Sequence, residues 1–152
     1  MRHNISRNVL SIFTALVLFA SLLVVSASAR TSRSLVVQIP FDFQIAGKTL
    51  PAGQYIVERS TQASAEGLSL RSVDKNVGVF VLTSTLDGNE RQSASRLVFN
   101  RYQDKYFLSQ LWTSGETAGR ALIKSEKERT AEKELAKNGA RPERVAIIIT
   151  QK

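Results

Sequence analysis

The chain has 152 residues and a formal net charge of +8, with no cysteine and one histidine, His3. Absence of cysteine excludes disulfides, thiol catalysis and lipid attachment through a cysteine. His3 falls in a leader segment, so the remainder has no imidazole for proton transfer and neither of the commonest zinc ligands, and most hydrolase mechanisms are closed to it.

Arg2 and Arg7 precede a mostly apolar run from Val9 to Val25, followed by Ser26-Ala27-Ser28-Ala29. A basic start, an apolar stretch and a small-residue end are the three zones of a secretory signal peptide. Ala27 and Ala29 stand where the peptidase needs small side chains, so residues 1–29 are expected to be removed and Arg30 to begin an exported protein, periplasmic or secreted. The 152 residues less these 29 leave 123, enough for a single domain over 30–152. Losing Arg2 and Arg7 reduces the charge to +6, a surplus that favours anionic surfaces or polymers. No second long apolar segment follows, so no stable transmembrane segment is expected once the leader is cleaved.

From Leu35 the apolar residues alternate: Leu35, Val37, Ile39, Phe41, Phe43 and Ile45 share one parity. Period two predicts a half-buried strand, bent or at an edge at Pro40, whose nitrogen cannot donate to a ladder. Ala46–Gly53 reads as a turn and Gln54–Arg59 as the returning strand. Ser60–Glu66 reads as a loop, followed by a short strand at Leu68–Leu70. Val77–Thr85 carries valines on one parity and Phe80 and Leu82 on the other, which predicts a strand covered on both faces. Asp87-Gly88-Asn89 signals a turn. Leu97–Tyr102 and Tyr106–Thr113 follow as two aromatic-rich strands joined through Gln103-Asp104-Lys105.

After Ser114-Gly115 the composition turns to charge and alanine. Ser125 with Glu128 three residues on has capping-box spacing, and Asn138-Gly139 is a C-terminal stop, so a helix is expected over about 126–137. Its apolar residues are only Ala131, Leu135 and Ala136, a thin stripe for docking. Arg144–Thr150 is the last strand, with an isoleucine run that the sheet should cover. The sum is a small antiparallel β-barrel or β-sandwich of about seven strands with one C-terminal helix before the last strand, a barrel best protecting the edges.

The runs VQIPFDFQIAGKTLPAGQYIV, FNRYQDKYFLSQLW and SGETAGRALIKSEKE resemble an uncharacterised family of small exported bacterial proteins. These share a hydrophobic-Pro-Phe-x-Phe strand and a Leu-Pro-Ala-Gly-x-Tyr turn. The resemblance implies export and brings no assigned reaction. On the residues themselves, Pro51 and Gly53 suit a turn, and Phe41, Phe43 and Tyr55 suit a core.

The remaining acid–base candidates are Asp42, Glu58, Asp74, Asp87, Glu90, Asp104 and Glu116. A carboxylate pair would support a glycoside-cleaving hydrolase, but no spacing nominates one. Asp87–Glu90 offers oxygen ligands without the alternation of a calcium loop, so no metal and no cofactor are expected. Arg101, Tyr102, Lys105 and Trp112 combine base and aromatic in the manner of a single-strand nucleic-acid groove. Nucleic acid does not suit an exported protein, and an anionic envelope polymer or glycan is the better partner. Sheet aromatics more often build core, and Trp112 in particular lies in a stretch with large apolar groups on both parities. The reading is a non-enzymatic binding or structural module, against a carboxylate hydrolase or a carrier of an apolar ligand in a barrel interior.

Overall fold

The computed structural model describes residues 34–62 and 65–149; the leader, its cleavage residues Ala27 and Ala29, and Thr150 lie outside them. Among the described residues the fold is mainly β, with ten strands where the sequence suggests about seven. They are β1 (Ser34–Ile39), β2 (Phe43–Ile45), β3 (Lys48–Leu50), β4 (Gly53–Gln62), β5 (Ala65–Ser72), β6 (Gly78–Asp87), β7 (Ser95–Tyr102), β8 (Lys105–Trp112), β9 (Ala118–Leu122) and β10 (Glu143–Ile149). One helix, α1 (Glu126–Lys137), precedes β10, with the expected bounds.

Pro40 divides the first predicted strand into β1 and β2, yet the parity survives the break: Leu35, Val37, Ile39, Phe43 and Ile45 are all buried. The expected turn at Ala46–Gly53 holds a strand of its own. Ala46 and Gly47 both take positive φ, 48° and 80°, so two residues suffice to reverse β2 into β3. Ser60–Glu66, expected as a loop, mostly extends the β4–β5 ladder. Ala118–Leu122, assigned no element beforehand, is β9.

The sheet runs β1-β4-β5-β6-β9-β8-β7-β10. On its other edge β8 carries β9 at Gln110–Leu111 and, in parallel, β2 at Tyr106–Phe107, with β3 beyond β2. The sheet curls on itself but is not closed: β1 and β10 come near each other and exchange no ladder. The barrel expectation is corrected to that extent.

The inner face holds one continuous core of Leu35, Val37, Ile39, Phe43, Ile45, Tyr55, Val57, Leu68, Leu70, Leu97, Phe99 and their neighbours. Aromatic edges lock it: Phe43 meets Tyr55 at 5.3 Å and Phe99 at 5.5 Å between ring centroids, and Phe41 meets Phe99 at 5.2 Å. Edge-to-face rings of this spacing are favourable beyond the area they bury. Phe41 also stacks on Tyr106 at 3.8 Å.

Two outer-face expectations change. Phe80 and Leu82 are 54% and 55% exposed, so β6 is covered on its inner face only. Ile148 is 66% exposed, so the isoleucine strand is covered on alternate residues and not throughout. Both follow from the single-layered curl, which leaves outward parities to solvent unless α1 or a loop lies over them.

Helix α1 docks on β7 through polar groups, as its thin apolar stripe requires. The Ser125 hydroxyl accepts from the Glu128 backbone N–H at 3.3 Å, the expected cap. Glu128, buried in the first turn, accepts from Asn100 at 2.9 Å and from the Tyr102 hydroxyl at 3.3 Å. Lys127 donates to the Gly47 carbonyl at 2.9 Å, tying the helix start to the β2–β3 turn. Among the described residues, no helix is long and apolar enough to cross a membrane.

Candidate functional site

Successive strand residues point to opposite faces, and this separates the four residues that the sequence grouped. Arg101 carries inner-face parity at the β7–β8 hairpin: its guanidinium lies 5.5 Å from the Tyr106 ring centroid and pairs with Glu143 at 3.1 Å. Tyr102, the next residue, is on the outer face and buried beneath α1 against Phe107. Lys105 is exposed where the hairpin turns back. Trp112 closes the far end of β8, seven residues and about 23 Å from Lys105 along the strand. The four are not one groove.

Trp112 is buried, 8% exposed, but it lies outside the inner core. Its ring covers the outer face of β9 at Gly119, where an added Cβ would sit 2.8 Å from it, and reaches Gly88 in the loop after β6. Arg96 caps the ring at 5.6 Å, and the indole N–H donates to Gln110 at 2.9 Å. A ring held on two glycine notches and satisfied at its nitrogen is a cover for the sheet, with its faces already occupied.

A charged group that the sequence did not assemble closes one end of the inner face. Arg59 on β4, Glu66 on β5, Thr85 on β6 and Arg120 on β9 all have inner parity by the ladder registers. One Arg59 nitrogen donates to both oxygens of Glu116, at 2.7 and 2.6 Å. Arg120 donates to Glu66 and, at 2.8 Å, to the Thr85 hydroxyl, which in turn donates to Glu66 at 3.2 Å. Burial, and secondarily the charge of Arg59, lower the Arg120 pKa from its ordinary value. The Arg59–Glu116 side chains are each about a third exposed, so that pair is worth about 1 kcal/mol or less. Arginines and glutamates match one for one, and each carboxylate is taken up by a guanidinium. The group acts as a neutral plug, with no free base and no paired proton donor. Parity was the available signal: Arg59 continues Tyr55 and Val57, and Glu66 precedes Leu68 and Leu70 on the same face.

The other carboxylates are scattered. Asp42 accepts from the Ala52 N–H at 2.7 Å across the turn that shapes β3 and β4. Asp74, Asp87, Glu90 and Asp104 are exposed in or beside turns. Among the described residues, no three carboxylate or imidazole groups cluster as metal ligands. Comparison with protein-family models, curated proteins and solved structures finds no match.

The Tyr102–Glu128 contact sets an alkaline limit. Burial first, then the negative charges of Glu128 and Glu132, hold the Tyr102 pKa well above its ordinary 10.0. Burial and Asp42 push Tyr55 the same way. A raised folded-state pKa favours the neutral phenol, so this contribution is complete below pH 10 and is lost as pH rises beyond it towards the folded value. Tyrosinate absorbance from Tyr55 and Tyr102 is expected to appear together with loss of helical circular dichroism above pH 10. Titration of Tyr55 and Tyr102 near pH 10, with α1 intact, would contradict it.

Proposed function

We propose that the protein is an exported, non-enzymatic binding or structural module of the cell envelope or the extracellular space, with an anionic partner. The supporting observation is the filled inner face: Phe43, Tyr55 and Phe99 interlock where a carrier would hold its ligand, and matched ion pairs plug one end. Interaction then falls to the outer surface and the strand edges. Leader-like residues 1–29 support export, and the +6 charge of the remainder supports the sign of the partner.

The test is retention of the mature protein on an immobilised acidic polysaccharide. Retention at low salt, with release as rising salt shortens the Debye length to about 10 Å at roughly 0.1 M and further above it, is the expected result. Passage without retention, or hydrolysis of the polysaccharide, would overturn the reading.

A further inference from the structure

The ladder registers leave one stretch of edge open within the wall of the curled sheet. Among the described residues, β6 over Gly78–Leu82 pairs with β5 alone, because β9 joins β6 only from Thr83 onwards. On the far side of the gap, among the same residues, β3 pairs with β2 alone. Since β9 and β2 occupy the same edge of β8, one above the other, the free edge of β3 faces the free half of β6. The two exchange no ladder, so they stand farther apart than the ~4.8 Å of paired strands. The segment Ile123–Lys127, tied to Gly47, bounds the opening at one end. The turn before β6 bounds it at the other, where Lys75 donates to the Ala52 carbonyl at 3.4 Å and the Val73 N–H donates to the Gln54 carbonyl at 2.9 Å.

Natural sheets protect such edges with charge, proline or a bulge. Gly-Val-Phe-Val-Leu at 78–82 has none of these, and its register with β5 runs unbroken. Its side chains are apolar on both parities: Val79 and Leu122 are half-buried against the core, while Phe80, Leu82 and Ile123 are exposed outside. Phe80 is held in place, its ring folded over Gly67 on β5. The rim is basic, with Lys48, Arg71 and Lys75 exposed around it and Asp74 opposing them, while Lys124 is already paired with Glu132 at 2.6 Å.

We propose that the open edge of β6 over Gly78–Leu82 is a strand-addition site for a single extended polypeptide segment that alternates apolar with acidic residues. The inference rests on the binding-module reading and names the partner's class. Unpaired main-chain donors and acceptors call for a backbone partner, apolar side chains on both faces suit alternate residues of a strand, and the lysine and arginine rim selects acidic ones. A second folded copy does not suit the opening, because β3 and the Ile123–Lys127 segment flank it on a folded partner as well.

The test uses the mature protein and an eight-residue peptide of alternating valine and glutamate. Saturable binding, with slowed amide exchange at Gly78–Leu82, is expected. It should be lost when alternate peptide nitrogens are methylated and weakened at least tenfold by Phe80→Glu, a substitution at an exposed position. Equal binding of the methylated peptide, or unchanged exchange at Gly78–Leu82, would overturn the proposal. So would protection of those amides by concentration alone, which would make the edge a self-association surface. If the peptide fails while acidic polysaccharide is still retained, only the edge assignment falls; if both fail, the binding-module reading falls with it.

Discussion

Trp112→Ala is expected to destabilise the protein by about 3–5 kcal/mol, the range for deleting a buried aromatic. The ring is the lid over Gly119 and Gly88, and no side chain at either glycine can fill the space its removal leaves. Arg96 loses the surface it lies on, and Gln110 loses its indole donor. Because a small domain has only about 5–15 kcal/mol of stability, the shift in denaturant midpoint should be large. A ligand platform would behave otherwise: stability would be retained and binding lost. Trp112 is the only tryptophan in the chain, so its emission gives a second readout. Blue-shifted emission resistant to iodide is expected of the folded protein; red-shifted, readily quenched emission would refute the packing described.

Phe99→Ala should cost a similar ~3–5 kcal/mol, through a different layer. Phe99 is fully buried and joins the two aromatic groups of the inner core, Phe41 on one side and Phe43 on the other. Its loss opens a cavity in the middle of the curl, where neighbours from several strands are already fixed in their ladders and can collapse only in part. Phe80→Ala is the control of like chemistry, because Phe80 is more than half exposed. Equilibrium unfolding of the two variants should differ by several-fold in free energy. Equal losses would mean that the inner face is not the main core.

The parts of this fold that sequence shows are those fixed by local periodicity. Alternation from Leu35 to Ile45 marks the inward parity on both sides of Pro40, and Ser125 with Glu128 marks the start of α1. β9 shows no such signal. Ala-Gly-Arg-Ala-Leu has neither β-branched residues nor alternation, and it is a strand because β6 and β8 each present an edge to it. β3 is hidden in the same way, inside a segment whose glycines and proline announce only turns. For the site, grouping Arg101 with Tyr102 overlooked that neighbours on a strand part to opposite faces. The Arg59–Glu116 and Glu66–Arg120 pairs join positions more than fifty residues apart, and only the registers bring them together.

The pairing of β2 with β8 has a consequence for how the chain comes to be folded. Phe43 and Gln44 meet Tyr106 and Phe107 about sixty residues later, and β10, the last strand, must find β7 and bury Ile149 near the end of the chain. Closing loops of that length costs entropy before any contact compensates, so such topologies form slowly. The β4-β5-β6 meander can assemble as soon as it is synthesised, but half of its inner face has nothing to pack against until the C-terminal third arrives. A chain built this way reaches its native state only after its last strand has been made, so losing even the few residues of β10 should leave the earlier strands without a finished core.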